Sequence, residues 1–204
     1  MPLVDHTDSV LVVVDTQPGF VDYDGMPEAT RAASARTVER IAWLAGFAGI
    51  LDIPVVAVEE DPEHNGSTHE RVAERLPAGT PVEVKDAFSL SACPAAVDAI
   101  RATGRNTLVV VGYETDVCVA QSAIELHDLG FRVVAPADLS CSGSADEHRR
   151  GLERMRFAGI EPNSFKGLVF EWMRTIARAA ALWSRAEDTL GVAPFPRRDP
   201  SYQD

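Results

Sequence analysis

The chain of 204 residues is 46% apolar and 25% charged, an ordinary globular balance, and is long enough for one α/β domain with a sizeable core. Its formal net charge of -12 repels nucleic acid and anionic membranes, so neither is expected as a partner. Three irregularly spaced cysteines imply neither a disulfide framework nor a CxxC zinc site.

No run approaches the ~20 apolar residues of a membrane span. The start, Met1-Pro2-Leu3-Val4-Asp5-His6-Thr7-Asp8, has no basic region and no long apolar segment. With free thiols as well, the expectation is a cytoplasmic protein.

Along the chain, strand and helix patterns alternate. Residues 10–14 are a continuous apolar run, the mark of a strand buried on both faces. Residues 27–50 have helical spacing, with Val38, Ile41, Ala42, Ala45 and Ala48 on one face. A second strand is predicted over 55–58, then a polar loop over 60–68 and a short helical stretch ending near Leu76. Residues 82–85 give a brief third strand, and 95–102 a helix closing at Gly104. The fourth strand, 108–111, leads into a helix over 117–129, and the fifth covers 132–135. A helix over 146–158 stops at Gly159, a sixth strand is expected near Glu161, and an apolar helix follows over 168–183. Residues 1–190 read as one domain, and the Pro-rich tail, 191–204, as an extended arm.

This alternation predicts a three-layer α/β/α fold of Rossmann type with a mostly parallel, six-stranded sheet. In such sheets ligands bind beyond the carboxyl ends of the strands. Asp15 ends the first strand, Lys85 ends the third, and Cys118 follows the fourth. Singly these are a turn residue, a solvated strand end and a packed thiol; together they put three residues of catalytic type on one rim. A thiol in the first helical turn faces unpaired N–H groups and the positive end of the helix dipole. Both favour thiolate, which makes Cys118 the candidate nucleophile.

The surrounding residues carry a resemblance. Val13-Val14-Asp15-Thr16-Gln17-Pro18-Gly19-Phe20 resembles the Asp-x-Gln…Phe opening of the isochorismatase-like cysteine hydrolases. Lys85-Asp86-Ala87-Phe88-Ser89 is similar to that family's Lys…Phe-Ser segment. Gly112-Tyr113-Glu114-Thr115-Asp116-Val117-Cys118-Val119 is similar to its Cys-bearing motif. The resemblance implies a Cys118–Asp15–Lys85 triad, with Cys118 as nucleophile, Asp15 as base and Lys85 as the cation that holds Asp15 ionised and favours thiolate. It also implies a cis Tyr113–Glu114 peptide, with the Glu114 and Cys118 N–H groups forming an oxyanion hole. With a cysteine present, amide or related acyl chemistry is expected rather than hydrolysis of a vinyl ether.

The substrate is expected to be a small molecule, in a pocket walled by Gln17, Phe20, Tyr23, Phe88 and Tyr113, with Thr68 near it. Glu60 is expected to be structural, because the loop from Glu59 to Thr68 resembles that of metal-free members. No metal or cofactor is therefore expected. The alternatives are a metal-dependent nicotinamidase drawing on Asp61, His64 and His69, and a non-catalytic interaction protein on the same fold. Cys141, after the fifth strand, reads as a packing residue, and His6, His127 and His148 as surface residues. Phe170, Met173, Ile176 and Ala177 form an apolar stripe, and Trp172 and Trp183 share its helix. They suggest core or a contact between copies, hence a homo-oligomer, dimer or tetramer.

Overall fold

Residues 2–194 are described by the structure, a computed structural model. Strand β1 spans Ser9–Val14 and is followed by helix α1, Glu28–Ile50. Next come β2 (Val55–Glu60), β3 (Val82–Lys85), α2 (Pro94–Ala102) and β4 (Thr107–Tyr113). A π-type turn, Thr115–Val119, leads directly into α3, Ala120–Asp128. The chain continues through β5 (Arg132–Pro136), β6 (Ser140–Cys141), α4 (Ala145–Phe157) and β7 (Glu161–Asn163). It then forms α5 (Phe165–Met173) and α6 (Ile176–Leu190).

The strands pair in the order β3-β2-β1-β4-β5-β7, every neighbour parallel, and the two-residue β6 adds to β4. Alternate residues of each central strand feed opposite layers. Leu11, Val13, Val55, Ala57, Val109 and Val111 pack under α1 and α5. Val10, Val12, Val14, Val56, Val58 and Val110 pack against α2 and α3 on the other face. Burial on both faces explains why these strands read as unbroken apolar runs. No helix among the described residues is long and apolar enough to cross a membrane.

Several expectations are corrected. The apolar stretch over 168–183 is two helices, broken at Arg174, which adopts φ 66°. Thr175 starts the second helix, its hydroxyl accepting from the Arg178 N–H at 3.2 Å. Trp172 and Trp183 therefore lie on different helices. Trp172 is core, its indole N–H donating to Ser9 Oγ at 3.0 Å. The three histidines read as surface residues are partly buried and have partners: Arg178 for His6, Phe131 O for His127 and Thr115 for His148. The Pro-rich arm lies, beyond Pro194, outside the described residues.

Candidate active site

Strand register brings the site together. β2 runs two residues past its expected end, so that Glu60 pairs in register with Lys85 at the end of β3. Asp15 directly follows β1, its N–H donating to Val58 O at 3.0 Å. Its φ of 44° lies in the left-handed region, uncommon for a residue with a Cβ and often found at functional sites. Gln17 fixes the chain at Glu60: its side-chain oxygen accepts from the Glu60 N–H at 2.8 Å and its amide donates to Glu60 O at 3.0 Å. Glu59 faces the other way, accepting from the Thr68 N–H at 2.6 Å and the Thr68 hydroxyl at 2.7 Å.

Cys118 is placed by β4 and the π-type turn after it. Gly112 has φ 128°, and a Cβ there would lie 1.8 Å from Val14 O, so no larger residue lets β4 approach β1 this closely. The Tyr113–Glu114 peptide is cis. The turn is fastened from outside by Thr115 Oγ1, 2.8 Å from His148 Nδ1, and by the Ser142 hydroxyl, which donates to Asp116 at 2.6 Å.

The four side chains converge at one point. Lys85 Nζ lies 2.8 Å from Asp15 Oδ2 and donates to Glu60 Oε2 at 3.0 Å and to Ala87 O at 2.9 Å. The Cys118 thiol donates to Glu60 Oε2 at 3.1 Å. Carboxylate oxygens of Asp15 and Glu60 and Cys118 Sγ all lie within 4.8 Å of one another.

Burial pushes the Asp15 carboxyl up to about 6, although Lys85 pulls it down. Burial works against the Lys85 charge, but Asp15, Cys118 and Glu60 together outweigh it and hold the ammonium above its ordinary value. The Cys118 thiol is raised well above its usual range, first by burial and then by the charge of Asp15, against the pull of Lys85. This corrects the expectation of a resting thiolate. At 3% exposure, desolvation outweighs the turn's dipole and the lysine, and the resting sulfur keeps its proton.

A cleft of about 530 Å³ borders the site at Glu60 and Lys85, with Asp61, Glu63, Asp86 and Phe88 among its other walls; Cys118 and Asp15 lie behind these two and do not line it. Phe88 is the one expected wall residue that lines it. Tyr113 instead points into the core, donating to Ser34 O at 2.8 Å. It shares the face of Val109 and Val111, so strand parity already carried that signal. Gln17 is a buried clamp, Thr68 binds Glu59, Phe20 packs against the core beneath α1, and Tyr23 sits beside Gly143.

Glu60 is the residue that sequence reasoning missed, since it touches both Lys85 and Cys118 rather than standing apart as structure. Cys141 is buried and lines a separate cavity of about 400 Å³ with Arg36, Arg40 and His148, none of which lines the cleft. Asp61, His64 and His69 do not assemble a ligand set; the cluster of ligating atoms among the described residues is Asp15, Glu60 and Cys118. There the Lys85 ammonium already fills the cation's place between the two carboxylates.

The chain has recognisable relatives. A family model described as Isochorismatase domain matches residues 9–164. The chain belongs to the isochorismatase family. Within that family, the secreted isochorismatase effector Isc1 of Phytophthora sojae is 28% identical over 131 residues, 63% of this chain and 62% of the effector. Isochorismatase domain-containing protein 1 of Danio rerio is 34% identical over 113 residues, 55% of this chain and 39% of the fish protein. The matched segment thus spans less than two thirds of either relative.

Two solved structures share the isochorismatase fold. The MAR1 ribonuclease of Caenorhabditis elegans superposes with a TM-score of 0.81 at 23% identity, covering 98% of both chains. The YcaC gene product of Escherichia coli, described as an octameric hydrolase of unknown specificity, superposes with a TM-score of 0.77 at 22% identity, covering 93% of each chain.

Proposed function

We propose that this isochorismatase-family chain is a cysteine hydrolase that cleaves a small amide or related acyl substrate through a thioester on Cys118. The observation that carries the reading is the meeting of Cys118 Sγ, two carboxylates and the Lys85 ammonium at the carboxyl edge of the sheet. Sγ attacks the carbonyl carbon as the thiol proton passes to a carboxylate, the role the resemblance gives to Asp15. The C–N bond then breaks, the amine leaves with a proton, and water hydrolyses the thioester. Lys85 stabilises negative charge on sulfur while the proton is away. The Glu114 and Cys118 N–H groups are the proposed oxyanion donors, each worth about 3–4 kcal/mol in comparable sites.

A cleft of about 530 Å³ suits a small molecule. RNA, the substrate implied by the name of the nematode neighbour, is disfavoured by the net charge of -12 and by Asp61, Glu63 and Asp86 around the cleft. The nicotinamidase alternative is disfavoured because its metal-binding residues do not converge. Assembly as a homo-oligomer fits the exposed Phe170 and Ile176.

A panel of small primary amides with ammonia detection tests the reading. Release by the wild type and none by Cys118→Ala is expected; equal release by both would overturn it.

A further inference from the structure

Asp15 and Glu60 both approach Cys118 Sγ, but they differ in what else they can reach. The Asp15 side chain has no exposure and is paired with Lys85. Glu60 is 19% exposed, lines the cleft, and accepts the thiol hydrogen at 3.1 Å. It is the one carboxylate in contact with both the sulfur and the space where a substrate would lie. Its position is built: Gln17 grips both of its backbone polar groups, Asn65 donates to its carbonyl at 2.9 Å, and Lys85 holds its carboxylate. A loose acidic residue at a loop start has no such supports.

Resting on the cysteine-hydrolase reading above, we infer that Glu60 is a fourth catalytic residue, the carboxylate that exchanges protons with the reacting groups, while Asp15 acts through Lys85 as a positioning residue. As Sγ bonds to the carbonyl carbon, the thiol proton moves along the existing hydrogen bond to Glu60. Glu60 then gives that proton to the leaving nitrogen as the C–N bond breaks. In the second half, Glu60 takes a proton from the attacking water and returns it to sulfur as the C–S bond breaks. One proton and one water are thus accounted for, and no other reactant is needed. Asp15 stays ionised throughout and anchors the Lys85 ammonium beside the sulfur.

The test uses p-nitrophenyl acetate, whose leaving group departs without a proton, so that acylation needs less of Glu60 than deacylation does. Full-length wild type and Glu60→Gln are mixed with it in stopped flow, and the acetylated peptide is located by mass spectrometry. Wild type should release a fast burst of nitrophenolate and carry acetyl on Cys118; Glu60→Gln should reach the same adduct more slowly, because its thiol has lost the proton acceptor. In Glu60→Gln the steady rate after the burst should fall about 100-fold or more, with acetyl-Cys118 accumulating, because general base catalysis at water is lost. Glu60→Asp, which keeps the charge but withdraws it by one methylene, should deacylate at an intermediate rate. Thermal unfolding of each variant checks that it is folded.

Deacylation by Glu60→Gln at the wild-type rate would overturn the inference. So would loss of burst and turnover together in both folded variants, which is the mark of a structural role. Failure of the wild type to acetylate Cys118 at all would instead sink the underlying cysteine-hydrolase reading.

Discussion

Lys85 and Asp15 form an ion pair with neither side chain exposed, 2.8 Å from nitrogen to oxygen. The ammonium donates hydrogen bonds to Glu60 and Ala87 O, and its contact with Asp15 is one of charge. Such a pair is expensive to desolvate, and removing one partner strands the other as an uncompensated buried charge.

Lys85→Ala should therefore lower turnover by about 100- to 1,000-fold, the range for loss of a preorganised electrostatic contact. Ammonia release from the best amide of the panel measures it, beside thermal unfolding to confirm the fold. Turnover within a few-fold of wild type would remove lysine from the mechanism.

The pH dependence follows from Asp15, whose carboxyl is raised to about 6 by burial. Below that pH it is protonated, and the neutral carboxyl no longer anchors the Lys85 ammonium beside the sulfur. Activity should thus rise with pH through about 6, and kcat/KM from pH 4.5 to 8 shows whether it does. The linked stability has the opposite sense. The native state binds this proton more tightly than the unfolded chain, whose carboxyl sits at 3.8. This group's contribution is full below that value and is lost as pH rises through about 6. Asp15→Asn should be inactive on amides and show no stability loss over that window; urea titrations at pH 4 and 7 report the difference.

Gly112→Ala tests how the strands frame the site. Its Cβ would sit 1.8 Å from Val14 O at a φ of 128°, so the strands must part or the turn must move. A loss of at least about 3 kcal/mol is expected from strain of this kind, read by urea unfolding. A change under about 1 kcal/mol would show that β1 and β4 can separate cheaply here.

The order of strands and helices was legible because buried parallel strands are continuous apolar runs, as in Val10 to Val14. Asp15, Lys85 and Cys118 were legible because each stands where such a run ends. Glu60 was not. The acidic pair Glu59 and Glu60 looks like the start of a loop, and only pairing with β3, a tertiary event, extends β2 through it. The break at Arg174 has neither Gly nor Pro to announce it. The state of the Cys118 thiol was misread for a related reason: the helix dipole is local and visible in sequence, whereas burial comes from the whole fold.

Chelation should leave activity unchanged, because the Lys85 ammonium takes the place a cation would need between Asp15 and Glu60. Dialysis against a strong chelator, followed by the amide assay and metal analysis, checks this. Lost activity that returns with zinc, iron or manganese would revive the nicotinamidase alternative.

The central claim is a covalent acyl group on Cys118, and acid quenching during amide turnover tests it most directly. Intact mass and peptide mapping should reveal one acyl adduct, confined to Cys118 and labile to hydroxylamine, with Cys93 and Cys141 unmodified. Cys118→Ala should show neither adduct nor turnover. Wild-type turnover by Cys118→Ala, with no adduct at any time point, would contradict the account.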